Sequence, residues 1–171
     1  MNQLQADIET WINDWVSVYN SALEAVPCPF AKQAYVDNKI HIIEITAMES
    51  YSPDELVYGA LDGVTQNWPD DKEVVIFGCR PNLISAEKLA ATVAECNSAT
   101  LIPRGYIALE DHPDAVEIIA GENMNQGDWA LILIQSKDKL DKASDMLAKQ
   151  GYYRTWSQEN LNDVVNWRKK S

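Results

Sequence analysis

An α+β sandwich, ferredoxin-like or related, is what this sequence predicts: a few-stranded sheet covered by helices, wrapped by N- and C-terminal helices, with an inserted segment. Three observations point there. Short apolar, β-branched runs at 40–45, 74–77 and 129–135 read as strands. Stretches between and around them carry apolar residues every three or four positions, the period of a helix with one buried stripe. Helix-opening serines stand between the two kinds of segment at Ser52, Ser136 and Ser157. With 171 residues and 46% hydrophobic content, the chain buries one sizeable core, so 1–171 reads as a single domain.

The elements follow in order. Leu4, Ile8, Trp11, Trp15, Val18 and Ala22 form one stripe of an N-terminal helix of about five turns, which ends before Pro27-Cys28-Pro29. Residues 39–47 then supply Ile40, Ile42, Ile43 and Ile45, with His41 alternating among them as a sheet-face histidine. Ser52-Pro53-Asp54-Glu55 is a capping box with proline at the first helical position, and Leu56, Ala60, Leu61, Val64 and Trp68 form the stripe of the helix it opens. Gly59 and Gly63 would admit a close backbone on a neighbouring face.

A central strand at 73–78 and a helix at 83–96 follow, the latter with Leu89 and Val93 inward. Residues 101–109 read as a strand broken by Pro103 and Gly105, which places it at a sheet edge or bulge. Residues 110–128 are irregular apart from a strand-like 116–119 and a hairpin-like turn at 121–127. A strand at 129–135 leads to a helix capped by Ser136 and terminated by Gly151, then a short strand at 152–155, then a last helix capped by Ser157 with Leu161, Val164, Val165 and Arg168 on one side.

Composition narrows the function. A net charge of −12 opposes general nucleic-acid binding, which depends on Lys and Arg displacing counterions. Arg168-Lys169-Lys170 reads as favourable charge at a helix end. No apolar run is long enough to span a bilayer, and the Met-Asn-Gln-Leu-Gln start lacks the basic and apolar blocks of a secretory signal, so a cytoplasmic location is expected. Three widely spaced cysteines, Cys28, Cys79 and Cys96, favour neither a disulfide framework nor a structural zinc site. Phosphate-loop, dinucleotide and nucleophile-elbow motifs are missing, and no cofactor is implied.

Two places attract chemistry. Cys28, between two prolines past a helix end, presents a thiol at a fixed angle, with Lys32 near enough in sequence to lower its pKa; the competing reading is a buried cysteine acting as a small hydrophobe. His112 stands among Glu110, Asp111, Asp114 and Glu117, where carboxylates would orient its ring and raise its pKa as a general base or a metal ligand requires; the competing reading is turn chemistry with solvated acids. Arg80, following Cys79 at a predicted strand end, offers a fork of donors to a carboxylate or phosphate, or pairs with a surface acid.

At Pro27-Cys28-Pro29-Phe30-Ala31-Lys32 the sequence resembles an uncharacterised bacterial family, domain of unknown function 1415, in which a tryptophan-bearing N-terminal helix runs into a Cys-Pro-Phe-Ala motif and a His-Pro motif comes before an Ala-Gly pair. Here Trp11 and Trp15 precede Cys28, and His112-Pro113 precedes Ala120-Gly121. The resemblance implies weight on Cys28 and His112 and names no reaction.

Two functional expectations result. In the first, the chain is an enzyme acting on a small anionic substrate: Cys28 is nucleophile or redox thiol, His112 its base, Asp111 or Asp114 the orienting carboxylate, and Arg80 and Lys32 the substrate contacts. A variant places iron or manganese on His112 and nearby carboxylates. In the second, it is a non-catalytic interaction or accessory protein whose acidic surface meets a basic protein partner and whose cysteines are buried.

Overall fold

The computed structural model describes residues 1–170. The hydrophobic period places α1 (Gln3–Trp11) where the stripe of Leu4 and Ile8 predicts it, with the Asn2 side chain accepting from Gln5 N–H at its start. The helix widens into a π turn, Ile12–Val16, and stops at Ser17. It is shorter than the five turns expected, because Asn20 folds its Oδ1 back onto the amides of Ala22 and Leu23 and offers the chain a turn in place of the helical ladder. Val18 and Ala22 are therefore exposed, off the core stripe. A short α2 (Ala31–Val36) leads into β1 (Ile40–Glu44).

The capping box at Ser52 forms, with Glu55 accepting from Ser52 N–H at 2.7 Å, and opens α3 (Pro53–Gln66). Next come β2 (Val74–Cys79) and α4 (Ala86–Cys96), the latter capped by Ser85 and so starting three residues later than the periodicity suggests. Residues 97–104 continue helically until Gly105, at φ +86°, turns the chain into β3 (Tyr106–Asp111). A two-strand hairpin, β4 (Ile118–Ile119) and β5 (Glu122–Asn123), precedes β6 (Ala130–Ser136), α5 (Lys137–Lys149), and a C-terminal helix assembled from α6 (Gln158–Leu161), a π turn (Asn162–Asn166) and α7 (Trp167–Lys169). The predicted last strand is a 3₁₀ turn, Tyr152–Thr155: Gly151 at φ +75° reverses the chain, and the segment bonds to the 23–27 loop through the Tyr152 and Thr155 hydroxyls, with no strand ladder.

The main sheet has the order β1-β2-β6-β3, with β1 parallel to β2 and β6 antiparallel to both its neighbours. A helix separates β2 from β3, so the chain takes the related sandwich and not the βαββαβ element order of a ferredoxin-like fold. The α+β class stands. On one face α1 and the π turn that follows it pack Leu4, Ile8 and Ile12 against Ile76, Leu131 and Trp129. On the other, α3 and α4 pack Val57, Leu61, Leu89 and Val93 against Val75, Phe77, Ile132 and Ile134. The close approach lies at Gly78, where an added Cβ would meet the Leu4 methyls, whereas Gly59 and Gly63 face open space. As expected, β3 is an edge strand. Among the described residues, no helix is long and apolar enough to cross a membrane.

Candidate functional site

The free side of β3 borders the site. In an antiparallel pair alternate residues turn their backbone groups away from the partner strand. At Ala108 those outward groups are claimed by the buried Asn97 side chain, whose Oδ1 accepts from Ala108 N–H at 2.8 Å and whose Nδ2 donates to Ala108 O at 2.9 Å. Asn97 thus completes the strand as a neighbouring strand would. Beyond it the edge opens into a groove of about 800 Å³. Leu109 to Asp111 and α4 line one part of it; residues 115–118 and the C-terminal helix, with Asp163, Val164 and Trp167, line the other.

His112 sits at the head of this groove, only 2% exposed. Its Nδ1 accepts from Asp114 N–H at 3.1 Å, which leaves the proton on Nε2, donated toward Ile84 O at 3.0 Å and Pro81 O at 3.3 Å. Both nitrogens are spent on the backbone, and the ring pins the end of β3 to the β2–α4 connection. Asp114, 81% exposed and 3.9 Å from Nδ1, meets the ring through its amide, so its carboxylate is not an orienting hydrogen-bond partner.

Asp111 also serves the scaffold. Its oxygens accept from Asn125 Nδ2 at 2.6 Å and Gln126 N–H at 2.8 Å. Asn125 is the hub of the insertion: Nδ2 also reaches His112 O and Ala115 O, and Oδ1 accepts from Glu117 N–H at 2.8 Å. Asn97 and Asn125 belong to no motif that marks them as site residues in the sequence. The amide-rich loop Glu122-Asn123-Met124-Asn125-Gln126 was the available signal for the second; the first looks like any polar residue at a helix end.

Cys28 is held elsewhere. Its amide donates to Val16 O at 3.0 Å, and its neighbour Pro27 receives the Tyr152 hydroxyl. Burial pushes its thiol pKa up, outweighing the Phe30 and Ala31 amides that favour the thiolate. It is not a partner of His112 and does not line the groove, so the expected catalytic couple is not formed. Burial likewise lifts Cys79 and Cys96, each to about 11. Arg80 places its Cζ over the buried Trp129 ring, 3.9 Å from the centroid, while the indole N–H donates to Asp7 at 2.9 Å. Lys32 is exposed on α2. Of the six predicted site residues, only Asp111 and His112 share the groove. Among the described residues, no group of three His, Cys, Asp or Glu side chains has the arrangement of a metal site.

The groove's distinguishing chemistry is uncompensated negative charge. Loss of hydration pushes the carboxyls of Glu110, Asp111 and Glu117 above the ordinary range, and for Glu117 the charges of Asp111, Glu110 and Asp163 add to it. The ion pairs of the described residues lie at other carboxylates; the groove's acids meet no Lys or Arg there. In comparisons with known proteins, the chain matches no family model, no curated protein and no solved structure.

Proposed function

We propose that this chain is a non-catalytic interaction protein whose groove beside β3 receives a basic segment of a partner protein. One observation carries the reading: Glu110, Glu117 and Asp163 line a part-apolar groove and, among the described residues, none of the three pairs with a Lys or Arg. Like charges held together raise one another's cost of ionisation, and a cation entering the groove relieves that cost. The net charge of −12 draws a basic partner from a distance and falls short of specifying a site, which the groove does. The state of the other candidates agrees: loss of hydration raises the pKa of each cysteine thiol, and both His112 nitrogens are engaged by backbone groups.

The test is fluorescence anisotropy with a labelled oligolysine peptide. Binding should weaken with salt, and the variant Glu110→Gln, Glu117→Gln, Asp163→Asn should lose about tenfold or more in affinity. A control variant removing the same charge from the exposed Asp37, Asp70 and Asp71, each changed to Asn, should bind almost normally. Equal losses in the two variants would reduce the attraction to net charge and sink the groove as its seat.

A further inference from the structure

We infer that the segment taken by the groove is amphipathic, an aliphatic side chain flanked by lysine or arginine, and not a uniformly basic stretch. The inference rests on the groove reading above and adds the identity of the occupant. Its observation is an inversion at 116–118. Along this strand-like stretch the acid turns inward: Glu117 is half-buried and feels the charges of Asp111, Glu110 and Asp163, whereas Val116 is 57% and Ile118 47% exposed on either side of it. Burial of apolar groups and hydration of charge would each favour the opposite register.

The chain cannot slip to correct this. Glu117 N–H is held by Asn125 Oδ1, Glu117 O by Met124 N–H at 2.9 Å, and Ile118 O by Asn160 Nδ2 at 3.0 Å. Ile119, next in the alternation, is fully buried and fixes the same register. A bonded backbone therefore displays two aliphatic side chains beside a recessed carboxylate, and all three residues line the groove. Leu109 and Val164 add apolar wall. Breaks in the local pattern that the backbone holds in place fall at functional or strained sites. The complementary ligand sets an aliphatic group on Val116 and Ile118 and reaches Glu117, Glu110 and Asp163 with the cations on either side. A purely basic chain would leave that aliphatic lip in water.

Two labelled peptides test this, Gly-Lys-Lys-Leu-Lys-Lys-Gly and the same peptide with serine in place of leucine. The leucine peptide should bind about tenfold more tightly, the order of magnitude expected for covering one aliphatic side chain. The variant Val116→Ser, Ile118→Ser should erase that preference, so that it binds the two peptides equally; both positions are exposed, so the core is untouched. Equal binding of the two peptides overturns the inference and leaves the basic-partner reading standing. A preference that survives in the double variant overturns it too, since the lip would not be reading the leucine. If neither peptide binds at low salt, the groove reading itself fails.

Discussion

Replacing Asn97 by alanine should cost about 2–6 kcal/mol of stability. The figure follows from what Asn97 does at the open edge of the sheet. Its amide makes a matched pair of bonds, 2.8 Å and 2.9 Å, to the two backbone groups of Ala108 that face away from β6. Asn97 is 3% exposed and Ala108 is 0% exposed, so water does not replace the lost side chain without opening the interface between α4 and β3. Each buried backbone group left without a partner costs about 1–3 kcal/mol, and two are orphaned together. For a chain of this size that corresponds to a fall in melting temperature of very roughly 5–15 °C. Urea unfolding at neutral pH is the assay, with the slope of the transition checked for constancy so that the midpoint reports stability. Asn97→Asp should not rescue, because a carboxylate accepts from Ala108 N–H but has no donor for Ala108 O. A loss under about 1 kcal/mol in the alanine variant, or full rescue by aspartate, would refute the view that this side chain stands in for a missing strand.

Two further outcomes follow from the packing and the groove. Gly78→Ala puts a Cβ against Leu4, with Cγ at 3.2 Å and the methyls closer, and should cost about 1–3 kcal/mol; combined with Leu4→Val the penalty should shrink, and an unchanged penalty in that background would show that the contact is not its cause. Glu117 has a folded pKa above its ordinary 4.5, so the folded protein holds the proton more tightly than the unfolded chain; its contribution is fully present below about pH 4 and is lost as pH rises through the folded value. Glu117→Gln should accordingly raise the urea midpoint at pH 7 and leave it nearly unchanged at pH 3.5, and a loss at pH 7 would contradict that sign.

What the residues determined alone were the local choices. The Ser52 box, the Ser136 and Ser157 caps, the Gly151 reversal and the apolar runs of β1, β2 and β6 are each set by interactions within a few positions, which is why they read correctly in one dimension. The same locality misled at the ends: Asn20 closes a turn that cuts the first helix short, and 152–155 has strand-forming residues but is turned by Gly151 onto the 23–27 loop, where the Tyr152 and Thr155 hydroxyls hold it. The site was less legible still. Proximity of Cys28 to His112 was a supposition about tertiary structure, and the fold instead spends the histidine on Ile84 and Asp114 and lodges the cysteine beside Val16 and Tyr152. Acids separated by some fifty residues, Glu110 and Glu117 on one side and Asp163 on the other, become neighbours only when the C-terminal helix docks by way of Asn160 on Ile118. Charge adds up along a sequence, but whether it is solvated or gathered against an apolar wall depends on burial and on which elements meet, and those are decided in three dimensions.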